Sequence, residues 1–200
     1  YPSSLSAHPI SAHHALLRME QADQLCGLVT QNVDRLHQQA GHQNVVDLHG
    51  RLDQVICIDC RTLVGRDVVQ EWLEAQNPQL QSQSFSPAPD GDADVVTDFS
   101  AIEVPSCDHC GGILKPHVVF FGDSVDRDVV DHVRCQVDSA DGVLVVGSSL
   151  MVFSSFRFVR QAHARGLPIA ALNQGVTRAD ELFTLKVNES STALDALIPR

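Results

Sequence analysis

The chain has 200 residues, 44% of them hydrophobic, with 14 basic and 25 acidic residues and a net charge of -11. That length fits one large domain, or a domain carrying a small lobe, with enough apolar residues for a sizeable core. The charge argues against nucleic-acid binding: no Lys or Arg falls between Arg66 and Lys115, a stretch whose nine acids would repel a phosphate backbone.

The chain opens on Tyr1, not Met, and enters a helix almost at once, so further polypeptide is expected upstream. Ser11 is placed to cap that helix, which runs to about Ala22 with Ala15, Leu16 and Met19 on one face. LCGLVT (25–30) is a short apolar run suited to a buried strand. VDRLHQQA (33–40) reads as a helix stopped by Gly41, and NVVDLHG (44–50) as a short strand or strand-like turn. Residues 66–76 read as helix. Residues 77–105 are rich in Ser, Gln, Pro and Asp and read as a mobile loop.

HVVFF (117–121) reads as a strand, and DRDVVDHVRCQVDSA (126–140) as a helix with Asp126 near its cap. GVLVVG (142–147) reads as a strand buried on both faces. Ser154 or Ser155 starts a helix that ends at Gly166. PIAALN (168–173) is a second buried strand, FTLKV (183–187) a last strand and STALDALI (191–198) a last helix. No apolar run reaches the ~18 residues of a membrane span, and no secretory signal is visible.

Apolar strands alternating with helices of 10–15 residues predict an α/β fold, a doubly wound parallel sheet covered on both faces. Ligands of such sheets bind beyond the carboxyl ends of the strands. Polar clusters fall at those ends: TQNVD after LCGLV, FGD after HVVF, GSS after GVLVV and NQG after PIAAL. Any one of them would be an ordinary turn; together they predict one ligand site.

Cys57 and Cys60 form one CxxC pair, and Cys107 and Cys110 a second. Each spacing turns two thiolates back on one cation, and four sulfurs close a tetrahedron with no open position, which predicts a structural zinc. The intervening loop accounts for the long separation of the pairs. Two dithiols could instead shuttle electrons, but neither pair opens a helix after a strand, where a thiol pKa would be lowered. His109 could replace a cysteine ligand but lies inside a knuckle; Cys26 and Cys135 are read as buried spectators. Thiols used for metal place the protein in a reducing, intracellular compartment, cytoplasmic if bacterial and the mitochondrial matrix if eukaryotic.

TQNVDRLHQQAG, VVDLHG, the two CxxC pairs, KPHVVFFGD, VVGSSLMV and ALNQG occur in the order found in sirtuins, and the chain resembles that family over nearly its whole length. The resemblance is greatest to class II, the branch of the mitochondrial lipoamidase and ADP-ribosyltransferase type, where Asp123 stands in place of a Glu common in the family. It implies an NAD-dependent protein lysine deacylase that transfers the acyl group to ADP-ribose and releases nicotinamide. An ADP-ribosyltransferase on the same fold, or a non-catalytic zinc-stapled module, are the competing readings. The expected organisation is a Rossmann-like domain over 1–54 and 112–200 with a zinc-binding lobe over 55–111, and the partner is acylated lysine on proteins.

By motif, Gln31, Asn32 and Asp34 line the nicotinamide and ribose pocket, and His49 is the catalytic base, a role an imidazole with pKa near 6.5 suits. Gly147, Ser148 and Ser149 lie near ribose and phosphates. Asn173, Gln174 and Gly175 meet the adenosine ribose, and Ser191 the adenine. Val119 and Phe121 hold the acyl-lysine, whose peptide adds as a strand to the flanking backbone. The family's Gly-Ala-Gly-Ile-Ser phosphate loop and its Asp/Thr-Phe-Arg segment are expected upstream of Tyr1, and these 200 residues alone are expected to be impaired without them.

Overall fold

The computed structural model describes residues 7–79 and 99–197. In chain order its elements are α1 (Ser11–Gln21), β1 (Leu28–Thr30), α2 (Leu36–Ala40), β2 (Val45–Asp47), β3 (Gly50–Cys57), β4 (Leu63–Gly65) and α3 (Arg66–Gln76). There follow β5 (Leu114–Val118), α4 (Arg127–Ser139), β6 (Val143–Val146), α5 (Phe153–Ala164), β7 (Ile169–Leu172), β8 (Leu185–Val187) and α6 (Leu194–Leu197). Two compact units result, Tyr1–Arg51 with Val119–Arg200, and Leu52–Val118. Most of the loop expected at 77–105 lies outside the described residues. No helix among those described is long and apolar enough to cross a membrane.

In the first unit, β1 pairs β2 in parallel, Thr30 opposite Asp47, and β6, β7 and β8 form a parallel sheet in that order. Alternation along β7 explains its two coats. Ile169 and Ala171 point into a core with Val130, Val133 and Val137 of α4 and Phe158, Val159 and Ala162 of α5. Leu172 points the other way, against Ala15 of α1 and Leu194 of α6. Ile169 is fully buried, a burial that contributes about 1.5–3 kcal/mol. Helices on both faces of a parallel sheet make the doubly wound α/β arrangement that the strand–helix alternation predicts.

Local chemistry moves several boundaries. The cap position of α1 is Ile10, not Ser11: the Ile10 N–H donates to His13 Nδ1 at 3.1 Å, so a ring nitrogen plays the part of the acidic or amide side chain at the third helical position of a capping box. The helix expected at 33–40 begins only at Leu36, because Arg35 is left-handed (φ 67°) and the Asp34 carboxylate accepts the Leu36 N–H at 3.0 Å. β5 ends at Val118, and residues 120–123 fold into a turn in which Asp123 accepts the Phe120 N–H at 3.3 Å. Neither Ser154 nor Ser155 caps α5; the cap position is Val152. β6 is not fully covered on both faces: Val145 is buried, but Leu144, which points to the other face, is 38% exposed. Asp126 does cap α4, accepting the Asp128 N–H at 2.9 Å.

In the second unit, β3 pairs antiparallel with β4, and the sheet order is β4-β3-β5. Buried Asn77 donates to the carbonyls of Leu73 and Glu103, both at 2.8 Å, and accepts the Glu103 N–H at 2.7 Å. One side chain thus joins the end of α3 to a segment 26 residues later.

Candidate functional site

The strand ends of the first unit bring Gln31, Ser148 and Ser155 together. Gln31 Nε2 donates to Ser148 Oγ at 2.7 Å, and Ser155 Oγ donates to Gln31 Oε1 at 3.0 Å. Ser148 Oγ also accepts the Leu150 N–H at 3.2 Å, so the carboxamide after β1 is fixed at both ends by the turn after β6 and the first turn of α5. Asn32, beside it, is exposed, and its side chain bonds to no other described residue.

His49 sits in the turn after β2. Its Nε2 lies 2.8 Å from Ser154 Oγ. Burial pushes its pKa below the usual imidazole value, while a hydrogen bond to the Gln31 backbone carbonyl pulls the other way. The His49 carbonyl accepts the Val119 N–H at 2.9 Å, so the residue expected to act as base and one expected to hold the acyl chain are joined directly. Phe121, two residues on, is fully exposed.

The remaining expected positions form a second group. Gly147 donates its N–H to the Leu172 carbonyl at 2.9 Å, which sets the GSS turn beside the NQG turn. Gly147 is left-handed (φ 60°), and a Cβ there would stand 3.5 Å from the Ser191 side chain. Asn173 is buried and donates to the Gln174 carbonyl at 2.9 Å; the Gly175 N–H donates to Asn188 Oδ1 at 2.9 Å. Ser149 and Gln174 are exposed. Asp34 is the exception: one of its oxygens is occupied in capping α2, and its charge faces His13 and His37.

Sequence reasoning gave no site role to Ser154 or Ser155, which it treated as helix starters. A pair of hydroxyls directly after GSSLMVF was the available signal. It also missed Asp47, which holds Arg35 in an ion pair and accepts from Gln38 Nε2 at 3.0 Å, fixing the backbone just after the TQNVD turn.

The second unit carries the four cysteines. Their sulfurs all lie within 4.8 Å of one another; Cys57 Sγ is 3.5 Å from Cys110 Sγ, and Cys60 Sγ 3.7 Å from Cys107 Sγ. A tetrahedral zinc with Zn–S bonds of 2.3 Å needs sulfurs about 3.8 Å apart, so the quartet fits. The two knuckles repeat one backbone design. Each first cysteine donates its N–H to the carbonyl five residues on (Cys57 to Thr62, Cys107 to Gly112, both 2.9 Å), and the fourth residue on is left-handed (Arg61, φ 63°; Gly111, φ 73°). The Thr62 hydroxyl draws the Cys60 thiol down to about 5, while contact with Cys60 pushes Cys110 up to about 12. Crowded sulfurs resist a second negative charge; a dication removes that resistance. Neither pair opens a helix, as a redox dithiol would.

The model of the Sir2 family matches residues 2–154. An NAD-dependent protein deacetylase 2 of Bradyrhizobium diazoefficiens is 55% identical over 194 residues, covering 96% of this chain and 71% of the relative. The human mitochondrial NAD-dependent protein lipoamidase sirtuin-4 is 46% identical over 99% of this chain and 63% of its own length. A solved structure of Sir2 bound to acetylated peptide superposes with a TM-score of 0.78 at 26% identity, covering 98% of this chain and 71% of that one.

Proposed function

Because the chain belongs to the Sir2 family of NAD-dependent protein deacetylases, we propose that His49 is its general base, that Gln31 and Ser148 orient the dinucleotide, and that Val119 and Phe121 receive the acyl-lysine. The observation that carries this reading is the placement of His49: its ring is held by Ser154 and the Gln31 carbonyl, and its own carbonyl is tied to Val119. Bound NAD supplies the ribose carbon from which nicotinamide departs and the sugar hydroxyl that accepts the acyl group.

The chain's own residues do the rest. Gln31, locked by two serines, cannot swing, so its carboxamide presents a fixed edge to a polar ligand at little entropic cost. Asn32 adds a second, unengaged carboxamide beside it. The lowered pKa keeps His49 neutral at pH 7, ready to take a proton from a sugar hydroxyl. Gly147, left-handed and without a side chain, leaves the backbone near Ser191 open to a nucleotide. The zinc braces the second unit and takes no part in the chemistry.

Within the family, we place the chain in class II. The short Asp123 carboxylate closes the 120–123 turn by accepting the Phe120 N–H, and the identity with the human lipoamidase extends over nearly the whole chain. The test incubates the protein with NAD and acetyl- or lipoyl-lysine peptides and follows nicotinamide by chromatography and the peptide by mass spectrometry. Loss of the acyl mass, abolished in His49→Ala, supports the reading. Gain of ADP-ribose mass on the peptide would make the chain a transferase to protein, and unchanged acyl transfer in His49→Ala would remove the base from that residue.

A further inference from the structure

On the outer surface of the first unit, a groove of about 460 Å3 runs between α4 and α5, bordered by Arg134, Asp138, Phe153, Arg157 and Arg160. Its charges are unevenly matched. Arg134 is paired with Asp131 at 3.0 Å, and Asp138 is engaged by Arg165 at 3.6 Å and by Gln161 Nε2 at 2.7 Å. Arg157 and Arg160 meet no carboxylate among the described residues, and Arg157 Nε is buried without a partner. In a chain with 25 acids and 14 bases, two neighbouring guanidiniums without a counter-charge are unusual. Arg160 is exposed, so its guanidinium is open to an anion, and the terminal nitrogens of Arg157 have no hydrogen-bond partner among the described residues.

The floor of the groove says what else the ligand carries. Phe153 is 47% exposed, and the Arg157 guanidinium lies 5.2 Å from its ring centroid. Arg178 approaches the same ring at 5.9 Å. The ring lies beside the Arg157 guanidinium without bonding to its terminal nitrogens, donors that suit an oxyanion. Exposed ring surface beside two uncompensated cations suits a ligand with a doubly charged head and a flat apolar body.

We propose that this groove binds a small organic phosphate monoester, its phosphate held by Arg157 and Arg160 and its apolar part lying on Phe153. None of the residues lining the groove is among those assigned to the dinucleotide, and the proposal does not depend on the deacylase reading. The test is calorimetric titration with phenyl phosphate, inorganic phosphate and benzoate, with and without saturating NAD. Phenyl phosphate should bind saturably whether or not NAD is present, at least about tenfold tighter than inorganic phosphate or benzoate. Arg160→Gln, at an exposed position, and Arg157→Gln should each weaken phenyl phosphate by about tenfold or more. Phe153→Ala should abolish the advantage of phenyl phosphate over inorganic phosphate while leaving inorganic phosphate unchanged. No saturable binding, loss of binding when NAD is added, equal or tighter binding of benzoate, or indifference to Arg160→Gln would each overturn the proposal.

Discussion

Ser154 Oγ stands 2.8 Å from His49 Nε2, so the hydroxyl at the start of α5 meets the imidazole in the turn after β2. A neutral imidazole that gives its one N–H to the Gln31 carbonyl has its other nitrogen left to accept the Ser154 O–H. The ring is then held in one tautomer and one orientation. Removing the hydroxyl in Ser154→Ala takes away one anchor, a neutral hydrogen bond of about 0.5–1.5 kcal/mol. Acyl transfer should fall by about 2–10-fold, with Ser154→Thr restoring most of it. A rate unchanged in Ser154→Ala, measured at saturating NAD, would show the contact to be incidental.

The same imidazole sets an acid limit on activity. Burial lowers the His49 pKa below 6.5, and the Gln31 carbonyl offsets part of that. Neutral His49 is therefore the dominant form at pH 7, and rate should be lost only as pH falls through the lowered value. The kcat/KM profile should be flat from pH 7 to 8, with its acid inflection below 6.5. An inflection above 7 would contradict the burial seen here.

A second pH effect concerns stability. The rings of His13 and His37 lie 4.6 Å apart and those of His37 and His42 5.3 Å, where α1, α2 and the segment before β2 meet. Burial, then the neighbouring His13 and His42, lower His37 to about 4, against a smaller opposing pull from Asp34. Between pH 6.5 and 4 the unfolded chain binds a proton that the folded chain refuses, so stability rises with pH in that window and the contribution is full above 6.5. At this half-buried ring the effect amounts to about 1–2 kcal/mol after screening. His37→Asn should flatten the dependence of the urea midpoint on pH between 6.5 and 4.5; an equally steep slope in the variant would assign the effect elsewhere.

The polar clusters after β1, β6 and β7 were legible in the sequence because each follows an apolar run too short for anything but a buried strand. The cysteine quartet was legible because thiolate spacing on one cation is a local property. What escaped was long-range pairing. Nothing near Asp47 announces that it will hold Arg35 and Gln38, and nothing near Asn77 announces that its amide will meet Glu103. Boundaries slipped where a side chain took a backbone N–H at a helix start, as His13 takes that of Ile10 and Asp34 that of Leu36. Leu144 was misjudged because what packs over each face of a strand is a long-range matter that an apolar run does not carry.

The left-handed residue in each zinc knuckle offers a backbone test free of packing effects. Nothing lies within 4 Å of where a Gly111 Cβ would stand, so Gly111→Ala adds only the strain of a left-handed alanine, about 1–2 kcal/mol. Zinc affinity, measured by competition with a chromophoric chelator, should fall about 5–30-fold while the zinc stoichiometry stays at one. Gly112→Ala should be worse, since its Cβ would come within 2.2 Å of Asp59 Oδ2, the atom that accepts the Ile113 N–H. Equal affinity in all three proteins would mean that the knuckles do not need this geometry.

Removal of the metal tests the structural role directly. Apart from the cysteine residues, little among the described part of the second unit is fully buried: Val55, Ile56, Val69 and Asn77 make up most of its core. So few apolar side chains cannot offset the chain entropy of a unit this size, whereas a four-thiolate zinc supplies about 10–16 kcal/mol of apparent binding free energy. Trp72, the only tryptophan of the chain, lies on α3 in this unit and is half-buried. Chelation under reducing conditions should therefore shift its emission to the red, and adding one equivalent of zinc should reverse the shift. Cys57→Ser, which removes a buried ligand, should give the red-shifted emission from the outset. Emission unchanged after complete zinc removal would mean that the unit is held by its protein contacts alone and that the metal has some other purpose.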